Sequence, residues 1–235
     1  MRQPHGIRLQ WRADGKAMKA FIYTGGEIFA EGITERPEEG DLILAADAGL
    51  WNARAMDVEP QILLGDFDSL GEIPAAEGAE ILQVPAEKDD TDTQLAVREA
   101  LSRGATELVI VGGLDGRLDH TLSVVALLES LESSHIPAVI TNGQNRVRLL
   151  RNNSTLIARS RFTYLSLIAV DPVVKGVTLE GCKYPLKKAT LSRRRQYAVS
   201  NELTGNCALI DVRRGSVLVI ESRDISKQSK KGERI

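Results

Sequence analysis

Apolar and polar positions alternate with two different textures along this chain, and the change falls near residue 145. Before it, short apolar runs of strand length stand at 20–23, 42–46, 62–64, 79–84, 108–111 and 138–141. Between them lie stretches with helical period. One covers 50–56. A second runs from the acidic segment at 89–92 to about Arg103, closes at Gly104, and has Leu95, Val97, Ala100 and Leu101 on one side. A third runs from Leu118 to about Leu131, with Leu122, Val125, Ala126 and 128–131 as its apolar side. Strand–helix alternation of this kind predicts a parallel sheet with helices on its faces, a Rossmann-like three-layer α/β domain.

After Gln144 and Asn145 the helical period disappears. Short β-rich pieces follow at 147–150, 155–158, 163–170, 173–179, 208–212 and 216–220, separated by glycines and charged turns. These predict an all-β antiparallel sandwich. The predicted organisation is a poorly ordered extension at 1–17, an α/β domain at 18–145, a β-sandwich at 146–224 and a basic tail at 225–235.

Composition narrows the class. Apolar residues make up 43% and charged residues 26% of 235, ordinary for a soluble globular protein. A net charge of −2 gives no reason to expect nucleic acid, and no apolar run approaches a membrane span. The first residues lack the apolar core of a secretion signal, and Cys182 and Cys207 have no metal-like spacing. Both observations predict a cytoplasmic protein with reduced thiols. With three histidines, any metal is held by oxygen.

The strand at 62–64 stops at Gly65 and delivers Asp66 and Asp68. In an extended segment residues two apart point the same way, so both carboxylates aim at one point beyond the strand end. Two such anions call for a cation between them, and Mg²⁺ on one or two carboxylates usually also holds substrate phosphates. Asp47 and the cluster Asp89, Asp90, Asp92 also follow strand ends, where open α/β sheets bind ligands. Three acidic turns in successive units predict a shared Mg²⁺–phosphate site built from Asp47, Asp66, Asp68 and the cluster at 89–92.

Two glycine loops add to this. Gly25 and Gly26 follow the first strand and allow close backbone approach to a ligand. Gly112, Gly113 and Gly116 feed the helix that begins near Leu118, where backbone amides favour anions and Arg117 reaches a phosphate or stacks on a base. Asp119 and His120 cap that helix; Asp119 alternatively orients Arg117 or a nucleotide. No Gly-Lys-Ser/Thr follows, so this is not a Walker A loop. The basic run Lys187, Lys188, Arg193, Arg194, Arg195 reads as a solvated loop, or as an attractor of polyphosphate.

In order and spacing the chain resembles the thiamine pyrophosphokinases over roughly residues 19–222. The resemblance rests on Ala45-Ala46-Asp47-Ala48-Gly49, Gly65-Asp66-Phe67-Asp68-Ser69, Lys88-Asp89-Asp90-Thr91-Asp92 and Gly113-x-x-Gly116-Arg117-x-Asp119-His120. In the second half, 176–186 and Ser200-Asn201-Glu202 carry it. It implies an N-terminal domain that binds ATP and Mg²⁺, a C-terminal sandwich, and a homodimer with thiamine bound where subunits meet. It implies transfer of the pyrophosphoryl group of ATP to the thiamine hydroxyethyl oxygen. Asp47, Asp66, Asp68 and Asp92 match the metal- and phosphate-handling acids. Gly25, Gly26, Asp47, Asp89, Gly113, Gly116, Arg117, Asp119 and His120 are the expected ATP-binding set, and Ser200 and Asn201 match the thiamine segment.

Two positions depart from the family pattern: Ala48 stands where a second glycine is common, and Val124 where many members have asparagine. Two other readings remain open at this point. One is a Mg²⁺-dependent phosphohydrolase of haloacid dehalogenase type, using Asp66 and Asp68 as nucleophile and acid. The other is a nucleotide- or thiamine-binding sensor without catalysis.

Overall fold

A computed structural model describes residues 18–67, 78–84 and 89–225. Asp68, Ser69, Lys88, the N-terminal extension and all but the first residue of the basic tail lie outside the described residues. The chain divides into two compact units, 1–142 and 143–235.

The first unit holds strands β1 (Lys19–Tyr23), β2 (Leu42–Ala46), β3 (Ile62–Gly65), β4 (Glu80–Gln83), β5 (Glu107–Val111) and β6 (Ala138–Thr141). Its helices are α1 (Gly49–Arg54), α2 (Asp92–Ser102) and α3 (Leu118–Ser133), with a 3₁₀ turn at Ala30–Gly32. All six strands are parallel, in the order β4-β3-β2-β1-β5-β6. The order reverses direction between β1 and β5, so their carboxyl ends flank the crevice that such a switch opens.

The strands are apolar on both sides, as buried parallel strands must be. Phe21, Tyr23, Ala45, Leu63, Val109 and Val111 form one face and enclose Leu50 and Ala53 of α1. The intervening Ala20, Ile22, Leu44, Ala46, Ile62 and Leu64 are equally buried. Helix α2 contacts β1, β2 and β3, and α3 contacts β6 and α2. Helix α1 reaches β1 only because Gly49 lacks a side chain: a Cβ there would sit 2.0 Å from the Tyr23 carbonyl oxygen.

Tyr23 is fully buried, and its hydroxyl has no hydrogen-bond partner among the described residues. Burial pushes the phenol up to about 12, against a smaller opposing pull from Arg36. Removing the stranded hydroxyl with Tyr23→Phe is therefore expected to stabilise the protein by about 1 kcal/mol. Because the folded phenol holds its proton more tightly, its contribution is intact below the unfolded pKa of about 10. It is lost as pH rises through about 12. Urea unfolding of both proteins between pH 8 and pH 12 checks this. An unchanged midpoint at pH 8, with no difference in alkaline slope, would refute it.

The second unit is all β. Strands β7 (Asn145–Arg151), β9 (Tyr164–Ala169) and β13 (Ser216–Ser222) form an antiparallel sheet in the order β7-β13-β9. Strands β8 (Ser154–Ala158), β10 (Val173–Glu180), β11 (Leu186–Ser192) and β12 (Cys207–Arg214) form another, in the order β11-β10-β12-β8. Alternate residues of both sheets, among them Leu165, Leu167, Val177, Leu179, Ile210, Val212, Val217 and Val219, share one core. That is the sandwich the alternating pattern predicts.

One reading needs correction. Lys187 and Lys188 do not lie in a solvated loop but in β11, an edge strand with a bulge where Lys188 has φ 46°. The strand is hard to read because it offers the core little besides Leu191 and the half-buried Leu186. Exposed lysines on such an edge discourage pairing with another chain. Arg193 likewise is not simply solvated; its guanidinium donates to the Val170 carbonyl, 2.8 Å from Nε.

Candidate functional site

Beyond the carboxyl ends of β1, β2 and β5 lies a cleft of about 420 Å³. Three loops and the first turns of α2 and α3 line it. Of the residues expected to act there, Gly25, Gly26, Asp47, Asp92, Gly113, Gly116, Arg117 and His120 do line it. Ala48, Thr24, Thr91, Thr93, Asp115, Ser123 and Val124 join them.

Each acid has a local cause. Asp47 ends β2 with φ 47°, a left-handed conformation that Asp tolerates better than most residues. Its amide donates to the Leu64 carbonyl at 2.8 Å, which ties the loop to β3. One of its carboxylate oxygens is fully buried. Asp92 opens α2, where a carboxylate suits the helix dipole. Thr91 caps that helix, with its hydroxyl accepting from the Gln94 amide and the Gln94 side chain accepting from the Thr91 amide. A buried hydrogen bond of 2.7 Å between the Thr93 and Thr24 hydroxyls anchors the start of α2 to the loop after β1.

The aspartate pair behaves differently from the simple expectation. Strand β3 ends at Gly65, and Phe67 turns into the core with φ 63°. The extended path that would point Asp66 and Asp68 the same way is broken at the residue between them. Asp66 is half-buried and does not line the cleft, and Asp68 lies outside the described residues. Asp89 is exposed and outside the lining as well. Among the described residues no three His, Cys, Asp or Glu side chains stand close enough to hold a metal ion by themselves. Three carboxylates, Asp47, Asp92 and Asp115, do share the cleft; Asp115 is engaged by the Glu27 amide, and two hard oxygen donors such as Asp47 and Asp92 are what Mg²⁺ takes from a protein when phosphates and water complete its shell.

At the start of α3, Arg117 forms a forked pair with Asp119, at 3.2 Å from Nε and 2.6 Å from the terminal nitrogen. The guanidinium holds the Asp119 carboxyl below the usual carboxylate range, and the carboxylate pushes the guanidinium up in return. Asp119 itself does not line the cleft; it is exposed and occupied in orienting Arg117, whose side chain does. His120 lines the cleft beside it. Of the two departures, Ala48 leaves ordinary room, since a Cβ on Gly25 would stand 3.5 Å from its own. Val124 packs its methyl groups over Gly113 and gives that wall an apolar surface.

Two residues of this site carry no sequence signal. Asp115 occupies a variable position of the second glycine loop, yet one carboxylate oxygen accepts from the Glu27 amide at 2.8 Å. The other oxygen is buried without a partner among the described residues. A Cβ on Gly26 would fall 2.2 Å from that oxygen, so glycine is required there both for space and for its φ of 101°. Asn52, on α1, donates to two carbonyls of the first glycine loop. Both were invisible because an isolated Asn or Asp in a loop or short helix reads as a cap or a solvated residue.

In the second unit Asn201 is 4% exposed and its backbone exchanges two hydrogen bonds with Leu165, at 2.7 and 3.0 Å. Its side-chain amide accepts from the Tyr184 amide at 3.0 Å and donates to the Tyr184 carbonyl at 2.7 Å. Ser200 beside it is exposed with φ 55°, and its amide donates to the Ser166 hydroxyl. Tyr184 thus stands 60% exposed on a loop that Asn201 holds. Among the described residues no helix is long and apolar enough to cross a membrane.

A parallel sheet with two glycine loops and three carboxylates at its switch point, followed in the chain by an antiparallel sandwich, defines a two-unit protein with a crevice where open α/β sheets bind ligands. Comparison with known proteins gives the family. The family model for the thiamin pyrophosphokinase catalytic domain matches residues 35–140, and that for the thiamin pyrophosphokinase vitamin B1 binding domain matches 153–217. The chain belongs to the thiamin pyrophosphokinase family.

Among its relatives, a thiamine pyrophosphokinase of Bacillus subtilis is 28% identical over 199 residues, 82% of this chain and 92% of that one. The crystal structure of a B. subtilis thiamine pyrophosphokinase superposes with a TM-score of 0.78 at 26% identity, covering 88% of this chain and all (100%) of the other. A thiamin pyrophosphokinase structure from Geobacillus thermodenitrificans gives 0.75 at 28% identity, covering 89% and 99%. The phosphohydrolase and sensor readings find no support in these matches.

Proposed function

We propose that this chain transfers the pyrophosphoryl group of ATP to the hydroxyethyl oxygen of thiamine, giving thiamine diphosphate and AMP. The thiamine hydroxyl gives up its proton to a cleft aspartate or a water while its oxygen forms a bond to the β-phosphorus, the bond from that phosphorus to the α,β-bridging oxygen breaks, and the bridging oxygen leaves with AMP. The observation that carries this reading is the convergence of Asp47, Asp92 and both glycine loops on one cleft, in a chain whose halves match the two modules of one family.

Phosphoryl chemistry asks a protein mainly for positioning and charge neutralisation. In this reading the 18–145 domain is a three-layer, Rossmann-like nucleotide-binding domain. The amides of Gly25, Gly26 and Gly116 receive phosphate oxygens, and that of Gly113 holds the Gly25 carbonyl. Arg117, set by Asp119 and flanked by His120, faces the nucleotide. Asp47 and Asp92 form the acidic wall that would take Mg²⁺, with Asp66 and Asp68 as the further acids of the proposed set. The ion would neutralise the polyphosphate and polarise the bond that breaks. The 146–224 domain binds thiamine through Ser200 and Asn201, and the exposed Tyr184 ring offers a π face to the thiazolium cation. The protein works as a cytoplasmic homodimer.

The test is direct. Purified protein with ATP, Mg²⁺ and thiamine is expected to release AMP and thiamine diphosphate in equal amounts, and chelation with EDTA is expected to stop both. Formation of ADP or inorganic phosphate in place of AMP would overturn the reading.

A further inference from the structure

Every peptide plane of the loop 24–27 is held by a hydrogen bond, from α1 by Asn52 and from the second glycine loop by Gly113 and Asp115. The side-chain nitrogen of Asn52 donates to the Thr24 carbonyl at 2.7 Å and to the Gly26 carbonyl at 2.9 Å. Because both partners only accept, the nitrogen and not the oxygen of that amide must face them. The Gly25 carbonyl accepts from the Gly113 amide at 3.0 Å, and the Glu27 amide donates to Asp115 at 2.8 Å.

In a trans peptide the N–H points opposite to the C=O of the same plane. Fixing the Thr24 carbonyl toward α1 therefore aims the Gly25 N–H away from it, whereas the Gly25 carbonyl, held by the Gly113 amide, sets the Gly26 N–H away from Gly113. Neither amide has a partner among the described residues, and both glycines line the cleft. A backbone N–H left free at such a cleft is a donor for an anion. Glycine peptides left unheld flip readily and would offer an oxygen as often as an N–H.

We infer that Asn52 is a positioning residue for the nucleotide: it never touches the phosphates but locks the Gly25 amide toward them. This deepens the proposed function and rests on it for the identity of the anion. Asn52→Asp keeps the shape of the side chain but places a carboxylate against two carbonyl oxygens, which drives the peptides to turn over. Asn52→Ala only releases them.

In steady-state assays Asn52→Asp is expected to raise KM for ATP about tenfold or more, the equivalent of one lost phosphate contact. The kcat should stay within about threefold and KM for thiamine within about twofold, the pattern of lost ground-state positioning. Asn52→Ala should show a smaller rise, and Asn52→Gln, which keeps the donor on a longer arm, should recover part of it. Calorimetric titration with ATP is expected to show the same order of affinities. A wild-type KM and wild-type ATP affinity in both Asn52→Asp and Asn52→Ala would overturn the assignment, as would a fall in kcat at constant KM. Wild-type protein that binds ATP yet makes no AMP would instead reject the proposed function, and the titration alone would still decide the role of Asn52.

Discussion

Replacing Asp47 with asparagine is expected to reduce AMP formation by about 10³-fold, as the loss of a pre-placed charge at a phosphoryl-transfer site does. The substitution isolates charge from shape. Asparagine tolerates the φ of 47° that Asp47 adopts, so the turn that sets the Asp47 amide on the Leu64 carbonyl persists. The side chain keeps its volume at the mouth of the cleft. Asp92→Asn is expected to act in the same direction with a smaller fall, because its neighbours Thr91 and Gln94 keep the start of α2 capped without it. Steady-state rates and circular dichroism on the same preparations check this. Wild-type turnover in folded Asp47→Asn would remove Asp47 from the chemistry.

The second large effect concerns stability. Glu221 on β13 is 4% exposed and faces two cations, Arg146 at 3.4 Å and Arg148 at 3.0 Å, with the Ser160 hydroxyl at 3.4 Å. Arg146, itself 8% exposed, also lies over the Phe162 ring at 4.8 Å. Glu221→Gln removes the carboxylate that the two guanidiniums share, that of Arg146 being buried. Breaking a buried ion pair from one side costs about 3 kcal/mol or more. The effect should reach function by a short route, since Glu221 pairs with Leu165 across the sheet and Leu165 holds Asn201. Urea unfolding should show the loss, and KM for thiamine should rise while ATP affinity is unchanged. A midpoint equal to wild type, or an equal loss of ATP affinity, would contradict this account.

How far these sites could be read from the residues depends on how local their causes are. The strands of the first unit announce themselves because a strand buried on both faces must be apolar throughout, as at 42–46 and 62–64. Asp47, Asp92, Gly25, Gly26, Gly113 and Gly116 were legible because each lies between a strand end and the next element or opens that element, and ligand crevices form beyond those ends. Strand β11 was not, because an edge strand needs only a few inward apolar residues and otherwise presents charge to water. Asp66 carries a recognisable motif, but whether its carboxylate reaches the cleft is decided by Phe67, whose ring is drawn into the core and reverses the backbone.

By itself the order of apolar and polar residues determined the two-part organisation, the element types and the acids and glycines on offer, since these follow from burial and backbone freedom at neighbouring positions. Only the tertiary structure decided which of them meet. The strand order places the ends of β1 and β5 side by side although more than 80 residues separate them. That adjacency lets Asp115 grip Glu27, and the packing of α1 on β1 lets Asn52 hold the loop carbonyls. Contacts of this kind depend on long-range packing, which no local pattern encodes.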